Sequence, residues 1–435
     1  MTKHINEKYL RVLFETNTDY SEWFGYYNYD VVSADGTKML CNRVNFDARA
    51  ITSDDSIELG YYDITSGEWH HIGNSNSFNW QQGAMLQWMP NDPSKVIYNT
   101  AIDNKFRSII YDITDGSSRM IDYSTYCVTP DGKYSITLNY ERSYWCRAYH
   151  YQSIKNPEYD VQVAADDGIF KVNLSNNSVE RIVDINDVIS MDSLEDFKNA
   201  KHWLEHIMIN AAGDRIVFLH RYSYGNAYST RMFICDINGN NLQIVSGWKE
   251  NDWSHFGWKG NREFVIYSVK KNAFQANYAK SVQKAKSKFS LMSVVNWAVH
   301  LPGLRIIKDK LKPHERYYKL YKETKDGYVF VKNYDDKLFS IDGHPSFTSD
   351  GKYMITDSYP DSDGNQRLII FNCETLKGVL VAKLAAPLSG NPASCDLHPK
   401  LSFGGKYLAI DTAYTGKHRM MLFEINWDAV KKVIG

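Results

Sequence analysis

One short pattern recurs along the chain and limits its fold more than any other feature. A polar turn containing Gly is followed by Lys or Arg and then by an alternating apolar stretch. The clear copies are SADGTKML (33–40), TPDGKYSI (129–136), NAAGDRIV (210–217), TSDGKYMI (348–355) and SFGGKYLA (402–409). Degenerate copies, WMPNDPSKVIYN (88–99) and WKGNREFVIYS (258–268), fill the gaps and bring the total to seven. The step is roughly 40–55 residues, the size of one four-stranded propeller blade. Each Gly suits a tight turn between two strands, where a positive φ is needed. A second apolar strand ending in a polar turn follows the copies, as in IELGYYDITSGEW, SIIYDITDGSS and RMFICDINGNN. The expected fold is all-β: one seven-bladed β-propeller over residues 1–435, closed by pairing the strand near KYLRVLFE with the last blade.

Composition agrees with this. Aromatic residues make up 14% of the chain, with 31 Tyr and 11 Trp, an excess that favours strands. A net charge of −1 argues against a nucleic-acid partner. The six cysteines form no CxxC pair, and residues 1–20 show no secretory signal, so a reduced, cytoplasmic protein is expected. P-loop, GxSxG and HExxH motifs are absent.

Two stretches interrupt the repeat. Residues 184–205 read as a loop with a helical turn. Residues 270–322 carry thirteen Lys or Arg against Asp309 and Glu315, together with the apolar run FSLMSVVNWAVHLPGL. They read as a basic helical insertion in the fifth blade. It serves either as a lid packed on the propeller or as a surface for an anionic glycan or a peripheral membrane contact.

Alignment on the turn brings four histidines into one register. His206, His344 and His398 each lie seven residues before Gly213, Gly351 and Gly405. His255 lies seven before Arg262, which holds the glycine's place, and the shared position is expected just ahead of the first strand of a blade. Blades one to three have Tyr29, the QQGAML segment and Thr125 near this point. A purely structural requirement would act on every blade, so the one-sided set points to a site at one mouth of the channel. Imidazole suits Mn, Fe, Ni or Zn and titrates near neutrality. Asp342 and Asp396 stand two residues before His344 and His398. In extended chain this spacing puts acid and imidazole on one face, a mixed N/O donor set for a divalent ion. Arg221, Arg231, Arg367 and Arg419, at strand ends, are candidates for holding an anionic substrate.

The strings EHIMINAAGDRIVFLHR, SHFGWK, DGHPSFTSDGKYMITDSYP and DLHPKLSFGGKYLAID resemble the oligogalacturonate lyase family, and FNWQQGAMLQW is similar to its second blade. The resemblance implies a cytoplasmic seven-bladed propeller that cleaves acidic oligosaccharides by β-elimination with Mn²⁺ in the funnel. It implies His255 as general base, with His206 as the alternative. It also implies His344 and His398 as metal ligands. Gln82 and the arginines are expected near substrate, with Arg221 on its carboxylate. The family's last blade reads Q-x-x-H-x-H-P. Here Ala393 replaces the Gln and Asp396 the first His. The alternative is a non-catalytic TolB-like propeller that binds glycan or protein in surface-polysaccharide metabolism.

Overall fold

The computed structural model describes residues 2–46, 48–142, 151–224, 227–270, 316–334 and 337–435. They form seven antiparallel sheets, the blades of a β-propeller. The turn glycines of the repeat fall between the first and second strands of their blades. In blade 3, for example, Gly132 links Cys127–Val128 to Tyr134–Leu138. Its φ is +68°, and a Cβ there would lie 1.9 Å from Asn91 Oδ1 of the neighbouring blade. The turn therefore needs glycine for its backbone angle and for contact between blades.

The ring closes through the N-terminus. Leu10–Glu15 pairs with Arg419–Ile425 and completes blade 7, with Leu10 opposite Ile425 and Glu15 opposite Met421. Upstream, Lys3–Ile5 adds a fifth strand to blade 6 by pairing with Lys377–Ala385. The first fifteen residues thus fasten two adjacent blades. Ring closure leaves fewer exposed sheet edges, which is why a propeller gains from it.

The core lies between successive blades, because both faces of each sheet are covered. Leu40, Leu59, Leu86, Val96, Met420 and Leu422, from blades 1, 2 and 7, share one buried cluster. Burying a side chain of this size contributes roughly 1.5–3 kcal/mol.

The stretch 184–205 holds a short helix, Ile185–Ser190, and a 3₁₀ turn, Glu195–Asn199. Its last residues already belong to the first strand of blade 4, Lys201–Ile209, so the expected loop ends earlier than read. In blade 5 the insertion leaves after Glu263–Lys270 and returns at Arg316–Thr324. Residues 316–322 are therefore strand, not insertion, and their lysines sit on a β-surface. The helical reading of the remainder, 271–315, lies outside the described residues. Among the described residues, no helix is long and apolar enough to cross a membrane.

Candidate metal centre in the axial funnel

The four histidines converge. A cavity of about 170 Å³ at the axis is lined by His206, His255, His344 and His398, with Asp396, Arg221, Gln82 and Tyr26. Two of the four are placed differently from expectation. His206 and His255 lie inside the first strands of blades 4 and 5, not ahead of them. Both fall at register shifts, between Glu205 and Met208 and between Trp253 and Phe256. A bulge re-aims a side chain out of the strand's alternation, here toward the axis. His206 and His398 also have positive φ, +56° and +42°, sparsely populated angles for a residue with a side chain and common at functional sites.

His344, Asp396 and His398 each offer a ligand atom, and these atoms all lie within 4.8 Å of one another. All three residues are buried. His344 is fixed by Asp357, whose two oxygens stand 2.9 and 3.0 Å from its Nδ1. That leaves Nε2 as the ligating atom. The same carboxylate accepts the backbone N–H groups of His344 (2.7 Å) and His398 (3.1 Å). His398 Nε2 is buried without a hydrogen-bond partner, an orphan that a metal would satisfy. Two imidazoles and a carboxylate fit a Mn-, Fe-, Ni- or Zn-type ion better than Mg or Ca.

The electrostatics are set by burial and by near neighbours. Burial acts to lower His344, but the Asp357 carboxylate outweighs it and raises its pKa. His398 is pushed well down by burial, then by His344 and Lys400. Burial raises Asp396 to about 6, so a cation beside it would favour the ionised form.

Asp342 does not join this group. It turns to His255 of the preceding blade, Nδ1 to Oδ2 3.1 Å. Neither D-x-H lies in regular strand, since the first strands of blades 6 and 7 start only at Ser346 and Lys400, so a shared spacing does not give a shared direction. The His255 ring stands 4.0 Å from that of His344. Burial and His344 lower its pKa, with Asp342 opposing. Together these shift His255 toward its neutral form beside the donor cluster.

Arg221 lines the cavity, ion-paired with Glu205 and stacked 4.6 Å over Tyr228. Gln82 lines it too, with its amide engaged by Tyr126 (3.1 Å) and Tyr151 (2.9 Å). Arg231, Arg367 and Arg419 are not brought to the cavity. Arg231 is buried and donates to His220 and to the carbonyls of Met191 and Val188, anchoring the 185–199 segment. Arg419 donates to Thr16 O and Asn17 at the closing strand. Arg367 sits in the third strand of blade 6, half-buried. All three belong to third strands of their blades, and none lines the cavity.

Several residues of the site went unread. Asp357 and Asp411 each lie six residues after the turn glycines Gly351 and Gly405, and Asn42 lies six after Gly36. That register was readable in the repeat. All three are buried. Asp411 accepts from Phe24 and Gly25 N–H and from Lys400 Nζ, each at 3.0 Å. Lys400 in turn donates to His398 O at 2.8 Å. Gln81, beside Gln82, lines the cavity and donates to Ser394 O at 3.2 Å. Of the segment Phe24–Asp30 only Tyr29 met the repeat register, yet the whole segment crosses beneath the cavity. Tyr27 packs on His344 (5.1 Å) and His398 (5.9 Å) and donates to Phe256 O at 2.7 Å.

No protein-family model matches the chain, and no curated protein matches it. Solved structures do. An oligogalacturonate lyase in complex with manganese superimposes with a TM-score of 0.63 at 13% identity, over 99% of this chain and 97% of the other. An oligogalacturonate lyase from Vibrio parahaemolyticus gives 0.59 at 11% identity, over 97% and 96%. The chain is therefore a seven-bladed propeller whose fold resembles the oligogalacturonate lyases from end to end.

Proposed function

We propose that this protein is a metal-assisted lyase that cleaves an acidic, uronate-containing oligosaccharide by β-elimination. The observation that carries the reading is the juxtaposition of two sets of groups at 4.0 Å between ring centres. One set is the donor cluster His344–Asp396–His398. The other is His255 with its orienting Asp342. The full-length likeness to a lyase crystallised with manganese supports it.

β-Elimination removes the proton at C5 of a uronate and breaks the C4–O4 bond. Manganese or a similar divalent ion, held by His344, Asp396 and His398, would draw charge from the adjacent carboxylate and stabilise the developing enolate. His255, neutral and oriented by Asp342, takes the C5 proton. Arg221, fixed by Glu205, offers its guanidinium to the substrate carboxylate. Gln82 and Gln81 offer amides to the sugar. The basic insertion remains a candidate for holding the rest of an anionic chain.

The test is metal analysis of the purified protein, with an assay for the ultraviolet absorbance of a C4–C5 double bond on a panel of uronic-acid oligomers. Stoichiometric metal and unsaturated product support the reading. Metal without unsaturated product points to another reaction. Absence of both leaves a glycan- or protein-binding propeller.

A further inference from the structure

The cavity contains a second proton-handling pair besides His255–Asp342. Tyr26 arrives from the segment beneath the funnel, and its hydroxyl is hydrogen-bonded to His206 Nδ1. The two rings stack at 5.2 Å, and Tyr26 borders His398 at 5.5 Å. Tyr26 and His206 both line the cavity. One pair therefore abuts the donor cluster at His344 and the other abuts it at His398.

Elimination from a uronate needs two proton transfers. The base removes the C5 proton, and the departing O4 must gain one, because a sugar alkoxide is a poor leaving group. We propose that Tyr26 is the general acid for that second transfer and that His206 is its positioning residue. This rests on the lyase reading above. As the C5–H bond breaks, its electron pair forms the C4–C5 double bond and the C4–O4 bond breaks. O4 takes the Tyr26 hydroxyl proton, and His206 Nδ1–H donates to the phenolate left behind. The proton gained by His255 and the one lost from the Tyr26–His206 pair exchange with water as product leaves, so the enzyme returns unchanged.

The neighbouring groups are less suited. The Tyr27 hydroxyl donates to Phe256 O, which can return no proton. Tyr359 lies on the side of the base, 5.7 Å from His255 and 5.8 Å from His344. Arg221 is engaged in an ion pair with Glu205. Among the described cavity-lining residues, Tyr26 and Ser254 each join a hydroxyl to an imidazole; the partner of Ser254 is His255, the base itself, which leaves Tyr26–His206 for the acid. Glu205 stands 3.8 Å from His206 Nε2, at the opposite nitrogen from Tyr26.

The experiment compares two leaving groups. One substrate is a 4-linked uronate disaccharide, whose O4 needs a proton. The other is a 4-deoxy-4-fluoro uronate glycoside, whose fluoride leaves without one. Tyr26→Phe keeps the ring that packs on His206 and His398. It should lower kcat on the disaccharide by roughly 10²–10⁴-fold, the usual worth of a general acid, while fluoride elimination stays near the wild-type rate. His206→Gln should show the same leaving-group dependence with a smaller loss, whereas His255→Gln should slow both substrates. Melting temperature and metal content of each variant show that fold and cation site are retained. Equal losses on both substrates, or no loss on either, would overturn the acid role while leaving the lyase reading intact. If the wild type forms unsaturated product from neither substrate, the lyase reading fails and the acid role with it.

Discussion

Asp357 receives the His344 ring Nδ1–H at 2.9 Å and the His344 backbone N–H at 2.7 Å, so one carboxylate sets both the position and the tautomer of a candidate ligand. It also receives the His398 backbone N–H at 3.1 Å. Second-layer partners of this kind are typically worth 10–100-fold in metal affinity. Asp357→Asn should therefore weaken cation binding by about that factor while leaving the three donor residues in place. Competition against a chelator measures it; unchanged affinity would mean that the ring is held by packing alone.

Lys400 is fully buried, and its charge is matched by Asp411 at 3.0 Å. Burial depresses its pKa, with Asp411 opposing. Lys400→Met strands a buried carboxylate and should cost about 3–5 kcal/mol. The double variant Lys400→Met/Asp411→Asn should recover part of that loss, as read by urea denaturation. A single variant as stable as wild type would show that Asp411 is satisfied by the Phe24 and Gly25 N–H groups alone.

Gly25 has φ +118°, and a Cβ there would lie 2.6 Å from the Gln82 carbonyl carbon. Gly25→Ala should displace the segment carrying Tyr26 and Tyr27 and lower both melting temperature and cation affinity. An equally stable variant with normal cation binding would mean that the segment under the funnel has room to shift.

The N-terminal strands fasten blades 6 and 7. Deleting residues 2–15 should expose the edge strand Arg419–Ile425, lower the melting temperature and promote association between chains. Light scattering against temperature, compared with the full chain, tests this. A truncated chain that stays monomeric and melts as wild type would remove the closure from the stability account.

His418 is buried, stacked on Trp80 at 4.6 Å, with its Nε2–H donating to Ala393 O at 2.8 Å. Burial depresses its pKa from 6.5 to about 4. The unfolded chain then binds more protons than the folded one between these values. Stability from this site is present above pH 6.5 and is lost as pH falls toward 4, on the order of 3 kcal/mol in all. His418→Gln should flatten that part of the stability-against-pH curve. An unchanged slope would assign acid sensitivity to other groups.

The sequence alone determined the ring and the register of its histidines. A polar turn followed by alternating strand repeats seven times, five of them with the turn glycine, and repetition turns a weak local signal into a strong one. The N-terminal closure was legible for a related reason, since the last copy of the repeat left its blade one strand short. Only the tertiary structure decided how the four imidazoles divide. A bulge inside a strand carries no composition of its own, so His206 and His255 were placed too early. Asp342 and Asp396 share one spacing, D-x-H, and both precede the first strand of their blade, yet Asp342 pairs with His255 while Asp396 joins His344 and His398. Tyr26 and Tyr27 belong to no repeat position. They reach the site because Phe24–Asp30 crosses the axis, a contact between residues about 180–370 positions apart that no local pattern encodes. The arginines show the converse: their strand-end positions suggested anion binding, yet only Arg221 of the four lines the cavity.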